Sequence, residues 1–506
     1  MLVWITFLPL LGALAVALAP DHAKLLRGIA LGITSVVAAC ALALWGSFDG
    51  AAAGMQAASS ADWFTITGFG KSDVAVRFAL GVDGISILLV ALTAVLLPLV
   101  VLSSVGHVSK RVKEFLVWLL VMETGMLGVF LSTDLVPFYF FWEVSLVPLY
   151  FLLGIWGGEN RLYATIKFFL YTVAGSLVML VGVIALIYHT GSSDMVVLFD
   201  GASALPTGTQ AWIFLSFALA FAIKVPVIPF HTWLADAHTE APTSGSVLLA
   251  GVLLKMGTYG LLRFGIQLFP AMALEYAGLF LFLGAAGIVY GALLAMAQTD
   301  LKRLVACSSV SHLGFVVLGL FALTRPGLSG AVLQMVNHGL STGLLFLLVG
   351  MIYERRHTRL LDRFGGIASV MPVFAFFFVF TVLSSAGLPG LNGFIGEYMI
   401  LAGTFEAAPL WAAVGVTGVV FGAVYLLSAT RRVLFGPIVH EENRRLADLT
   451  PREVGILDPL CALCLWIGVQ PNAFLGKTAG TLDALSDRIE SVQEELDVVQ
   501  LGREAR

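Results

Sequence analysis

Lys167, Lys224 and Lys255 lie inside apolar stretches long enough to be membrane-spanning helices. Lys224 stands in Phe221-Ala-Ile-Lys-Val-Pro-Val-Ile-Pro-Phe230, and Lys255 in Val247-Leu-Leu-Ala-Gly-Val-Leu-Leu-Lys-Met-Gly257. Acids keep them company. Glu143 sits in Phe138-Tyr-Phe-Phe-Trp-Glu-Val-Ser-Leu-Val-Pro148, and Glu397 follows a glycine-rich break. His312, in Ser311-His-Leu-Gly314, and His338, in Asn337-His-Gly339, occupy two further apolar runs. A charge in lipid is costly, so an intramembrane ionisable group is a functional hypothesis by default. Groups of both signs spread along the chain point to a route for charge through the membrane.

The chemistry that suits these residues is proton transfer. Burial disfavours a charged lysine, and a carboxylate that approaches it favours the charge again. Glu143 moving toward Lys224 would load a proton, and Glu143 withdrawing would release it. Lys255, His312 and His338 could pass the proton laterally through water, and Glu397 could deliver it outward. At about 1.5 Å per helical residue, Glu143, Lys224, Lys255, His312 and His338 are expected near mid-depth, with Glu397 nearer the outer face. Sodium needs several oxygen ligands and is repelled by lysines, so H⁺ is the expected ion. The bland readings are neutralised structural lysines, a static Glu143 counter-ion and satisfied core histidines. Glu123, in Val121-Met-Glu-Thr124, and Lys167 read as auxiliary charges or as locally paired ones. His231, Asp236, His238 and Glu240 cluster where a metal site, a polar funnel at the proton entrance or plain helix-end polarity could each apply. No standard metal-ligand spacing is met there.

These side chains need a membrane scaffold, and the composition supplies one. The 506 residues are 59% hydrophobic and 12% charged, with a net charge of −4. That is far from the soluble balance, and no basic field exists for nucleic acid. Apolar windows give about fourteen spans: 2–19, 27–48, 84–105, 114–132, 135–157, 163–190, 210–238, 244–268, 272–297, 304–323, 328–353, 372–402, 409–430 and 453–475. The first is read as a retained helix rather than a signal peptide, because it lacks a basic leader. About seventeen Lys and Arg fall in the odd loops, against four in the even ones (Lys71, Arg77, Arg263 and Arg325). Odd loops are therefore expected to face the cytoplasm, and both termini the periplasm.

Segments 210–238 and 372–402 would each run roughly 43–46 Å as unbroken helices, more than a bilayer needs. Each carries breakers near its middle: Pro226 and Pro229 in the first, Gly387-Leu-Pro-Gly-Leu-Asn-Gly393 in the second. Interrupted helices at matching positions point to internal repeats in a transporter. The expected organisation is helices and an outer loop over 1–113, one five-helix repeat over 114–268, a second over 269–430, an inner loop and last span over 431–475, and a tail over 476–506. The polar loop over 49–83 is expected on a membrane surface. In the tail, Leu482, Leu485, Ile489, Val492, Leu496 and Val499 form an apolar seam on one acidic helix. It would be solvated, dock on another subunit or self-associate. Gly68-Phe-Gly-Lys-Ser72 lacks the first glycine of a phosphate-binding loop, since Thr65 stands there. Cys461 and Cys464 read as small core residues.

Phe141-Trp-Glu-Val-Ser-Leu-Val-Pro148, Lys224-Val-Pro-Val-Ile-Pro-Phe-His-Thr-Trp-Leu-Ala-Asp-Ala-His-Thr-Glu-Ala-Pro-Thr-Ser244 and Gly387-Leu-Pro-Gly-Leu-Asn-Gly-Phe-Ile-Gly-Glu-Tyr398 resemble the antiporter-like membrane subunits of respiratory complex I, NADH-quinone oxidoreductase. The likeness covers nearly the whole chain. Of the L, M and N types, it is most similar to M, the counterpart of mitochondrial subunit 4, because Glu397 stands where L and N usually place a lysine. The resemblance implies an all-α polytopic fold of two inverted five-helix repeats, each with a broken helix. It implies a proton path through Glu143, Lys224, Lys255 and Glu397, with His312, His338, Glu123, His231 and Lys167 in auxiliary places. It implies an enzyme-complex subunit without its own redox centre, with FMN, iron–sulfur clusters and quinone in partner subunits, including L and N. The expected location is a bacterial inner membrane, among lipids. The alternative is a subunit of a multi-subunit Mrp-type cation/proton antiporter. A third reading, a purely structural span, is disfavoured by the cost of its intramembrane charges.

Overall fold

A bilayer offers the backbone no water, so each spanning segment must satisfy its own donors and acceptors as a helix. The computed structural model describes residues 1–70 and 73–504, with side-chain environments through Val498. Lys71 and Ser72, at the end of the glycine-containing loop, lie outside the described residues. The chain opens with α1 (Leu2–Leu18), α2 (Ala23–Ser47) and α3 (Ser86–His107). There follow α4 (Val112–Leu131), α5 (Leu135–Trp156), α6 (Arg161–Thr190), the short α7 (Met195–Gly201), α8 (Thr207–Lys224) and α9 (Thr232–Glu240). One continuous helix, Thr243–Ile266, comprises α10 (Thr243–Leu248), a π-helical stretch Leu249–Leu253, α11 (Leu254–Gly260) and a second π-helical stretch Leu261–Ile266. Next come α12 (Pro270–Glu275), α13 (Ala277–Met296), α14 (Leu301–Phe321) and α15 (Arg325–Arg356). The chain closes with α16 (Pro372–Ser385), α17 (Asn392–Ala407), α18 (Pro409–Leu434), α19 (Pro451–Val469) and α20 (Asn472–Glu504).

Among the described residues, ten helices are long and apolar enough to cross a membrane, or eleven if the bent pair α19–α20 counts as one span. The protein is a multi-pass membrane protein. The other three expected spans are α1, which has 17 residues, and the two interrupted segments. Helix length and composition therefore do not reproduce the count of fourteen. Both interruptions fall where prolines and glycines put them: residues 225–231 separate α8 from α9, and residues 386–391 separate α16 from α17. The segment Thr243–Ile266, α14 and α15 are buried throughout their apolar windows. Helices apolar on every side belong in an interior, and these three carry Lys255, His312 and His338.

Three parts of the fold differ from the sequence expectation. The loop over 49–83 contains an antiparallel hairpin, β1 (Gln56–Ile66) and β2 (Val74–Val82), an addition to an otherwise helical chain. The alternating Val74-Ala-Val-Arg-Phe78 sets its register, with Val74 and Val76 fully buried and Ala75 and Arg77 exposed. The last span ends at Val469, not near 475, because Pro471 cannot continue the helix. The chain turns by 67° into α20. The tail seam is also consumed differently. Leu482, Leu485 and Ile489 are at most 3% exposed, packed on this chain's own body. Asp483 pairs with Arg325, and Arg488 donates to the Phe199 carbonyl. Val492 is half-buried and Leu496 exposed. Val499's side chain lies outside the described residues. A periodic seam marks an apolar face but not the surface that covers it.

One buried ion pair ties these parts together. Arg263, fully buried in the second π-helical stretch, reaches Asp83 at 2.6 Å. Asp83 also accepts from the backbone N–H of Ile85 and Ser86 at 3.1 Å, and so holds the start of α3. The neighbouring Gly84 N–H donates to Thr481 of α20 at 3.0 Å. Removing one member of a buried pair strands the other. Asp83→Ala is expected to cost about 3–5 kcal/mol. Heat-induced aggregation of the purified protein should shift to lower temperature, and the double variant Asp83→Ala/Arg263→Met should recover most of the shift.

Candidate functional site: a buried row of acids, bases and histidines

The row begins on α5. Asp134 caps this helix by accepting from the Val136 N–H at 3.0 Å, and two turns later Glu143 faces α6. Ser176 of α6 donates to Glu143, and Tyr139 lies 3.3 Å from the Ser176 hydroxyl. Glu143 itself is half-buried. No ion pair within 4.0 Å joins Glu143 to Lys224 among the described residues, so the approach in the expected switch is not made in this arrangement. Lys224 instead lies over the Trp142 ring, 5.2 Å from its centroid. It is the last residue of α8, where the helix breaks, and is 2% exposed. The break is held open by the chain itself. Trp233 donates its indole N–H to the Ile223 carbonyl at 3.0 Å, satisfying an acceptor that the broken helix leaves free.

Lys255 is the most enclosed member, with no exposed surface. The π-helical turn that precedes it leaves the Ala250 carbonyl free to accept from its ammonium. Stretches of π-helix often mark functional places because they release such backbone groups. The ammonium also meets His338 Nδ1 of α15 at 2.6 Å. Two glycines allow this. A Cβ on Gly339 would sit 2.8 Å from the Gly251 carbonyl, so α15 could not approach with a larger residue there. The helix carrying Lys255 also meets the broken end of α8, where a Cβ on Gly257 would lie 2.8 Å from a Val225 methyl and 3.1 Å from Lys224 Cβ.

Beyond Lys255 the row is continuous. The His338 and His312 rings are 5.9 Å apart between centroids. His312 Nδ1 lies 3.0 Å from Glu397 Oε1, and its Nε2 lies 3.2 Å from the Tyr425 hydroxyl. Gln334 donates to Glu397 at 3.1 Å, and Asn337 bridges Gln334 to the Asn392 carbonyl. The Glu397 carboxylate thus meets His312 directly. The expected outer position counted residues 386–391 as part of a span, whereas they form the break between α16 and α17. His338 Nε2 is buried without a partner among the described residues, an open end in the row.

The auxiliary residues separate. Lys167 pairs with Asp236 at 2.7 Å, and Arg303 reaches the other oxygen at 3.1 Å, so Lys167 belongs to a local ion cluster. Glu123 is fully buried with neither oxygen bonded among the described residues, against the expectation of a local partner. His231, in the break after α8, packs against Tyr290, with ring centroids 5.2 Å apart. His238 is fully buried, stacked on Phe346 at 4.6 Å, with both nitrogens unpartnered among the described residues. Near it, Glu240, Lys302, Arg359 and His107 line a polar cavity of about 250 Å³. Sequence reasoning missed Ser176, Gln334, Asn392 and Tyr425. Asn392 lies within the glycine-rich break already singled out, whereas Ser176 and Tyr425 carry no local signal.

Residues 132–422 match the family model described as NADH:quinone oxidoreductase/Mrp antiporter, TM, and residues 37–131 that of NADH-ubiquinone oxidoreductase chain 4, amino terminus. The chain belongs to this family. It is 43% identical over 484 residues to NADH-quinone oxidoreductase subunit M of Rhodobacter capsulatus, covering 92% of this chain and 93% of the relative. Among solved structures, a chain of respiratory complex I from Thermus thermophilus with bound NADH superposes with a TM-score of 0.86 at 32% identity, over 96% of this chain and all of that one. A chain of the Mrp complex from Dietzia sp. reaches a TM-score of 0.84 at 20% identity, over 97% of this chain and 98% of that one, and shows the shared fold. The antiporter-like fold is thus the fold of this chain.

The close approach at Gly257 makes its own forecast. Gly257→Ala should be destabilising by about 1–3 kcal/mol through overpacking. Gly265→Ala, whose added carbon would meet only Phe214 at an ordinary 3.7 Å, should be neutral. Comparing the heat-aggregation midpoints of the two variants checks this.

Proposed function

We propose that this chain is the M-type membrane-arm subunit of an NADH:quinone oxidoreductase and contains one proton-translocating channel. The observation that carries the reading is the buried succession Lys255, His338, His312 and Glu397, with spacings that need at most short water bridges. Family membership and 43% identity to a subunit M support the complex. The Mrp alternative shares the family model over residues 132–422 and the fold, but its solved neighbour is only 20% identical, against 43% for the subunit M relative. Electron transfer belongs to partner subunits holding FMN, iron–sulfur clusters and quinone, and the L and N types are the expected neighbours. The location is a bacterial inner membrane with both termini periplasmic. The repeats 114–268 and 269–430 place one broken helix each in the path.

In this mechanism water in the polar cavity beside Glu240 and Lys302 hands protons past His238 to Lys255. The pair Glu143–Lys224 is the electrostatic control. In the present arrangement Ser176 holds Glu143, and Lys224 rests on Trp142. Breaking the serine contact frees Glu143 to approach Lys224 and favour its charge. A charged Lys224 then repels a charged Lys255, driving its proton to His338 and on through His312 to Glu397. Gln334 and Tyr425 position the last two groups. Glu123, His231 and Lys167 stand beside this path as supporting charges.

Two measurements test the reading. Detergent-extracted protein should co-purify with NADH-oxidising, flavin-containing subunits; purification with only small membrane partners and support of sodium resistance would contradict it. Lys224→Ala should lower NADH-driven proton pumping in reconstituted vesicles at least about tenfold, equivalent to about 1.4 kcal/mol. Unchanged pumping would remove Lys224 from the mechanism.

A further inference from the structure

A groove of about 70 Å³, open along one side, runs between α2, α3, α15 and α19. Its walls are aliphatic, from Leu42 and Leu88 at one end to Val95 and Leu340 at the other. Along α3 the step from Leu88 to Val95 spans about 10 Å. Three aromatic residues close the Leu88 end. Trp45 and Trp466 lie 6.0 Å apart, Trp466 and Phe474 5.0 Å apart. Trp45 lines this end, and Lys477 of α20 stands beside it, outside the groove wall. Lys477 lies 5.3 Å from the Trp45 ring centroid and spends one donor on the Phe48 carbonyl at 2.7 Å. An ammonium has three donors, so two remain. The Trp45 indole N–H is buried and has no partner among the described residues. A buried indole N–H normally finds an acceptor, and leaving it without one is costly.

We propose that this groove is a phospholipid site, with one acyl segment along its aliphatic walls and the phosphate–glycerol end beside Trp45 and Lys477. A phospholipid supplies what the groove lacks: apolar length on one side, and at its end anionic and ester oxygens for an unpartnered indole and a spare ammonium. Trp and Lys at the end of a membrane helix are the residues that meet headgroups. Apolar side chains of a neighbouring subunit would fill the walls but leave both donors unanswered. The site also bears on the buried row. Leu340 lines the groove, the preceding Gly339 packs against Gly251, and His338 meets Lys255. A seated acyl chain props α15 from the outside at the level where it presents His338.

The test uses the intact complex in lipid nanodiscs containing a phosphatidylglycerol with a diazirine midway along one acyl chain. After photolysis, labelled peptides are mapped by mass spectrometry. The expected result is label concentrated on the groove walls of α3 and α19, above the level on the exposed faces of α6 and α18. Trp45→Phe/Lys477→Met should lower groove labelling about tenfold, as expected for losing a charge-assisted and a neutral hydrogen bond. Labelling no higher than on α6 and α18 would overturn the site. So would cross-links from a neighbouring subunit that occupy the groove. Groove labelling unchanged in the double variant would overturn the headgroup assignment.

Discussion

The contact between the Lys255 ammonium and His338, 2.6 Å across the interface of two helices whose apolar cores are buried throughout, is the constraint on which the rest of the molecule depends. A potential charge in that place is tolerable only with a partner and a free carbonyl close by. The chain provides both by local departures from regular helix. The π-helical turn frees the Ala250 carbonyl, and Gly339 beside Gly251 lets α15 come close enough to offer its histidine. The surrounding spans then enclose this pair, and the row to Glu397 extends from it.

The two broken helices are the second device. An α-helix presents side chains but few free backbone groups along its length, so a polar path through helices alone lacks partners. Breaks after Lys224 and before Glu397 supply carbonyls, N–H groups and Asn392 at membrane depth, where such backbone is tolerated only inside protein or beside a polar cavity. Trp233 and Asn337 tie the exposed ends of these breaks. Lys224 is thereby held with its backbone fixed and its side chain resting on an aromatic face rather than on a carboxylate.

Much of this could be read in the amino-acid order, for physical reasons. A lysine or glutamate in an apolar run is conspicuous because lipid penalises it, so Glu143, Lys224, Lys255 and Glu397 stood out. Prolines and glycines announce breaks because they remove donors or relax the backbone, and both interruptions lie where those residues are. What could not be read depends on pairing across distance. Ser176 and Tyr425 are ordinary polar residues until α6 and α18 bring them to Glu143 and His312. Glu397's contact with His312 likewise depends on how the chain returns after the break before it. The hairpin over 56–82 was hidden in a stretch whose polarity suggested only a loop. The tail seam was visible, but its cover, this same chain, was not.

The central claim is that His338, His312 and Glu397 form one path, and a double-mutant cycle on proton pumping addresses it directly. His338→Phe, Glu397→Gln and the double variant would be compared in reconstituted complex at matched NADH oxidation. On a single path the double variant pumps no more slowly than the worse single variant, because the route is already interrupted. If the two losses multiply instead, the residues act independently and the row is not a shared conduit.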